Sequence, residues 1–191
     1  MGKRLSALAL VAALAVVPTG ASSTAAPKEP RYRFHVANAY LTELTGIPQT
    51  GARADTADGV HVIRFSGKGF FVEGGTVRGG GVWAHSSGEN DDLFAFGTWR
   101  VTGLERFESL GCDDPPTASC GGILELAVRL SGIHVEIGPE VVDGVLTVVA
   151  DGPDAPSGTE NVVTFTPVGV PLDFDRGIAD PAATTLLLTR R

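Results

Sequence analysis

The chain has 191 residues, with 15 lysines and arginines against 22 aspartates and glutamates, for a formal net charge of −7. That balance argues against nucleic acid or an anionic membrane surface as a partner. Hydrophobic residues at 43 %, with 25 glycines and 12 prolines, describe a turn-rich, many-stranded domain with a real core and exclude a disordered chain.

Lys3 and Arg4, an apolar run from Leu5 to Val17, then Pro18-Thr19-Gly20-Ala21 match the three regions of a secretory signal peptide. Residues 1–21 are therefore expected to be removed, with cleavage after Ala21 or, as the rival, a few residues later. The apolar run is too short for a stable membrane anchor. The expected product is secreted or periplasmic and has no membrane span. Residues 22–30 read as a disordered lead and residues 31–191 as a single β domain.

Tyr32 to Leu44 has mixed periodicity, with Phe34, Val36, Tyr40 and Leu44 lining a strand or a strand that gives way to a helical turn. Thr45 to Gly59 reads as a loop. From Val60 the chain enters a strand that continues through Ser66-Gly67-Lys68-Gly69 to Val72. Gly74-Gly75 supplies the positive φ angles of a two-residue hairpin. With that loop length Val72 opposes Val77, Phe70 opposes Gly79 and Ser66 opposes Trp83. Phe70, Lys68 and Ser66 would then share a face with Trp83 and His85. Leu93 to Thr102 forms the next strand after the polar turn Ser86 to Asp92, in a register that sets Trp83 against Gly97 and Trp99 against Gly81. Each tryptophan then covers a glycine that would otherwise weaken the sheet.

The pattern continues as Val101, Leu104 and Phe107, extending or bending at Gly103. Cys112 and Cys120 flank a short polar loop, and a disulfide between them is expected in an exported protein. Gly122 to Leu130 alternates Leu124, Leu126, Val128 and Leu130 with polar partners, as a half-buried strand does. Ile133 to Ile137 repeats the alternation. Asp143-Gly144 reads as a hairpin turn, Val145 to Ala150 and Val162 to Val168 as strands, Asp151 to Glu160 as a loop, and the tail as including a short helix near Asp180-Pro181. Seven to nine strands with little helix predict an antiparallel β-barrel, with a β-sandwich as the alternative.

The histidines are His35, His61, His85 and His134. No two of them have metal-ligand spacing, and no motif calls for a cofactor, so neither metal nor cofactor is expected. His61 and His134 alternate with apolar residues and read as solvated. His85 stands apart, because the hairpin places it on the face of Trp83 and Trp99. Among the acidic turns, Asn90, Asp91 and Asp92 are the best calcium candidates, yet they match no calcium loop. Nucleophile-elbow, phosphate-loop and dinucleotide motifs are absent.

Ser66-Gly67-x-Gly69-x-Phe71, Gly75-x-Val77-x-Gly79-Gly80-Gly81-x-Trp83-x-His85 and Gly97-x-Trp99 resemble a pattern in short exported bacterial all-β proteins, most without assigned function. The resemblance spans Phe65 to Phe107. It implies an all-β domain and carries no catalytic residues. More distantly, the architecture is similar to barrels of the dirigent and allene oxide cyclase type, which hold apolar ligands. Three functions follow as expectations. The first is a non-catalytic barrel binding a small apolar or aromatic ligand through Phe70, Trp83, His85 and Trp99. The second is an isomerase- or cyclase-like enzyme using His85 as base. The third is a structural or cell-surface interaction domain with a filled core. Oligomeric state is left open.

Overall fold

The computed structural model describes residues 30–38, 43, 51–113, 119–179 and 188–190. The expected signal peptide, nearly all of the lead and the tail helix near Asp180 lie outside the described residues. Ten strands occur among the described residues: β1 (Arg31–Val36), β2 (Ala52–Asp55), β3 (His61–Val72), β4 (Val77–Ser87), β5 (Leu93–Cys112), β6 (Ser119–His134), β7 (Gly138–Ala150), β8 (Val162–Pro167), β9 (Arg176–Ile178) and β10 (Leu188–Arg190). That is one more than the expected upper count, because β2 occupies part of the stretch read as a loop and the tail contributes two short strands. The protein is all-β, and every ladder is antiparallel.

The long meander β3-β4-β5-β6 is the body of one sheet. At one end β1 pairs with both β3 and β10, and β10 reaches β6 through Leu188 and Thr189, so the sheet coils strongly there. Elsewhere β7 and β8 leave β6 as one arm while β2 and β9 leave β3 as another. The arms meet at a single bridge, Phe165 to Phe174, with no ladder between them. Pro167 ends β8, and Gly169 at φ +76° and Pro171 break the chain between β8 and Phe174. The expected closed barrel is thus corrected to a coiled sheet that is not closed along its length.

The hairpin also departs from expectation. Gly75 donates its N–H to the Val72 carbonyl at 2.9 Å and Gly74 takes φ +69°. The loop is three residues, Glu73-Gly74-Gly75, so Phe71 opposes Val77 and Phe65 opposes Trp83. One extra residue exchanges the faces of the incoming strand. Phe65 and Phe71 therefore join Trp83 in the core, while Lys68 and Phe70 are exposed.

The β4–β5 register is the expected one, Trp83 against Gly97 and Trp99 against Gly81. Each indole also reaches one strand further. A Cβ on Gly67 would lie 2.5 Å from Trp99 Cζ2, and one on Gly132 would lie 2.8 Å from Trp83 Cζ2. Both rings thus lie across glycine backbone. The indole N–H of Trp83 donates to the Thr98 carbonyl and that of Trp99 to the Ser66 carbonyl, each at 3.1 Å, so no buried donor is orphaned. Phe34, Phe65, Phe71, Phe165 and the Leu124, Leu126, Val128 and Leu130 row of β6 complete the core.

One further reading changes. Asp143-Gly144 lies inside β7, because Gly144 sits beneath the Phe165 ring and Asp143 pairs across the sheet with Arg129. The turn comes earlier, ahead of Gly138 at φ +90°. β5 does extend past Gly103, bending through register shifts at Val101/Gly103 and Leu104/Arg106. Cys112 and Cys120 form the expected disulfide.

Two stability outcomes follow. Gly67→Ala forces a methyl group into the Trp99 ring and the Gly80 carbonyl, and should cost about 1–3 kcal/mol in urea denaturation. Reducing the Cys112–Cys120 disulfide should cost about 2–3 kcal/mol in the same assay, a loss carried mostly by the unfolded state.

Candidate functional site

The expected ligand residues do not converge. Trp83 and Trp99 are core residues, and Phe70 is on the outer face with its ring turned away from both. His85 shares the tryptophans' face, but at the end of the sheet, where a different set of groups surrounds it.

Register builds that set. His85 opposes Ile63 on β3 and Ala95 on β5, and Ala95 opposes His134 on β6. His61 lies two residues before Ile63 and so falls on the same face. His61 and His134, read as solvated from their neighbours in sequence, are therefore on the inner face, brought there by the odd-numbered loop and by the β5–β6 pairing. His61 Nδ1 stands 3.0 Å from His85 Nε2, with ring centroids 5.2 Å apart. Two imidazole rings facing each other nitrogen to nitrogen at this separation share one N–H···N hydrogen bond. The register shift between His85 and Ser86 puts an extra residue, Phe94, into β5. Such a bulge re-aims a side chain. The Phe94 ring meets both histidines, at 5.5 Å from His61 and 5.1 Å from His85, and Phe174 closes on His85 at 5.5 Å.

Burial under these rings is the main force on His85, and the charges of His61 and His134 add to it. Together they lower its pKa from 6.5 to about 4. At neutral pH His85 is an uncharged donor–acceptor and not a cation. Beside the pair, where His61 opposes Ser87, a cleft of about 370 Å³ is lined by Asp58, Val60, Ser87, Glu89, Asn90 and Asp92 among others. Asp58 is held in its ionised form by hydrogen bonds from the Thr56 hydroxyl and the Val60 N–H. The calcium candidates do not gather. Asp91 is bonded to Arg64 at 2.9 Å, and among the described residues no three His, Cys, Asp or Glu side chains come together to hold a metal ion.

Sequence reasoning missed His61 and Phe94. Strand alternation from Phe65 could have indicated His61, whereas the bulge that turns Phe94 has no local signal. Comparison with protein-family models, curated proteins and solved structures gives no match, so function rests on the geometry alone.

His85 also predicts a pH dependence. Its folded pKa lies below its unfolded value, so the unfolded chain binds the extra proton first. Stability present above about pH 6.5 is lost as the pH falls towards about 4. After discounting for the solvent that reaches the ring, the loss should be about 1–2 kcal/mol. Urea midpoints measured across that range should fall for the native protein and flatten for His85→Gln; parallel slopes would remove His85 as the cause.

Proposed function

We propose that this is an exported, non-catalytic β domain that acts through its outer surface, with its interior filled by its own aromatic rings. Export rests on the amino-terminal pattern of the sequence, and the disulfide and the lack of a long apolar helix among the described residues are compatible with it. The observation that carries the reading is the packing of Trp83 and Trp99. Both are buried across glycine backbone, with their N–H groups spent on backbone carbonyls, which leaves neither ring free to line a ligand cavity. A small-ligand role through Phe70, Trp83, His85 and Trp99 would need the core to open. Barrel-like coiling belongs to this proposal too, as the means by which a glycine-rich sheet curls around such a core.

A second reading keeps one supporting observation. His85 has a titratable neighbour, His61, at hydrogen-bond distance, and an uncharged His85 imidazole bonded to a second imidazole can serve as a base towards a small molecule.

The two readings separate by intrinsic fluorescence. Titration of the folded protein with apolar and aromatic compounds should leave the tryptophan emission unchanged, and the emission should resist a soluble quencher until the protein unfolds. Saturable quenching that weakens in His85→Ala would overturn the filled-core reading in favour of a ligand site.

A further inference from the structure

The outer face of β4, β5, β6 and β7 carries apolar side chains where a solvated sheet would carry polar ones. Cross-strand pairing lines them up in rows. Ala84, Phe96, Ile133 and Pro139 form one row, and Val82, Thr98, Ser131 and Val141 the next. Val82 is 57 % exposed, Phe96 46 %, Ile133 52 % and Val141 63 %. Four strands about 4.8 Å apart make a band about 14 Å wide. With Val135 and Ile137 in the adjoining turn also exposed, the apolar area is on the order of 300 Å², comparable with the largest patches on monomers, which are often functional.

Its borders are charged with opposite sign. On one side a single row runs Lys68, Gly80, Arg100, Arg129 and Asp143. Arg129 is engaged by Asp143 at 2.7 Å, leaving Lys68 and Arg100 to set the sign of that border. On the other side lie the turns that hold Glu89, Asp92 and Glu136, all exposed, together with Asp91, which is engaged by Arg64 at 2.9 Å. Phe96 lies between them, four residues and about 13 Å along β5 from Arg100, and four residues from Asp92, which comes just before β5 and beyond the Phe94 bulge.

We infer that this face is a homodimer interface: a second copy packs on it about a two-fold axis near Phe96, sheet against sheet with β5 running antiparallel to β5. The inference rests on the surface-acting reading above and names its partner. A two-fold axis through the centre of the band sends each border onto the opposite border of the other copy. Arg100 of one copy then lies over the Asp92 border of the other, twice, while Phe96 and Ile133, in the row on the axis, meet their own equivalents. Aligned packing of two sheets about 10 Å apart accommodates this arrangement. Adding the charged borders to the apolar band brings the buried surface towards the ~800 Å² per partner of a standard interface. A partner of uniform charge would leave one border facing its own sign, whereas a copy of the same face satisfies both.

The test is sedimentation equilibrium of the purified protein over a range of concentration and salt. A reversible dimer that loosens as salt rises is expected. Phe96→Glu should weaken it at least about tenfold, because it buries a charge at the centre. Arg100→Asp alone should weaken it and Arg100→Asp/Asp92→Arg should restore it, since the exchange keeps the two borders opposite; far-UV circular dichroism checks that each variant is folded. A monomer at about 100 μM, or a dimer indifferent to Phe96→Glu, would overturn the inference, and binding of the monomer to another protein or to vesicles would assign the face to that occupant instead. A monomeric protein whose tryptophan emission ignores apolar compounds would still keep the filled-core reading, so the two can fail separately.

Discussion

Aromatic rings lying across glycine backbone are the contact on which this structure depends. Trp99 crosses Gly81 to reach Gly67, Trp83 crosses Gly97 to reach Gly132, and Phe34 rests over Gly69 and Gly79. A glycine in a strand offers no side chain to bury and lets the sheet flex. Covered by a ring from a neighbouring strand, it becomes the floor of a close contact and the place where the sheet can curl. The same contacts fill the space between neighbouring strands with ring atoms. The ring positions therefore tie together the register of four strands and the coiling of the sheet.

A single turn residue then determines which side chains meet. With three residues in the β3–β4 loop, Phe65 and Phe71 are inside and Phe70 and Lys68 outside. With two, the reverse would hold, and the core would exchange Phe65 and Phe71 for Phe70 and a lysine. Burial energy decides between these: the net difference of one phenylalanine side chain in the core is worth roughly 1.5–3 kcal/mol, and an unpaired buried lysine adds a penalty. The same choice puts His61 on the face of His85 and Lys68 in the basic row of the outer face. The histidine pair and the charge pattern of the surface are two consequences of one loop.

The molecule thus divides its chemistry between two sides. Its inner face ends in the His61–His85 pair, with an uncharged His85 held under Phe94 and Phe174 in surroundings that disfavour its protonation. Its outer face exposes valine, isoleucine and phenylalanine between charged borders. Exposed apolar area on a sheet is costly for a solitary protein, because it invites aggregation. Opposed charge on the two borders directs that tendency towards one geometry of association.

Much of the architecture was legible in the chain itself. The alternation of Leu124 to Leu130 located β6 and its buried face, the Trp83–Gly97 and Trp99–Gly81 pairs followed from matching ring to glycine, and the spacing of Cys112 and Cys120 in a turn-rich chain indicated their disulfide. These are local signals: period-two alternation, ring–glycine matching and short loop closure depend on residues close in sequence or on adjacent strands. What the sequence left undetermined were the quantities that depend on counts and on distant partners. The loop length at Gly74 inverted a whole strand, the bulge at Phe94 aimed a ring at two histidines, the ring of Phe165 kept Gly144 within a strand, and the interrupted segment from Pro167 to Pro171 left the sheet unclosed. Sequence by itself determined an all-β chain with tryptophans set against glycines, because side-chain alternation and backbone clearance are written residue by residue; only tertiary structure decided which face was core and which histidines met, because a one-residue difference in register has no local cost and is settled by what the rest of the sheet can bury.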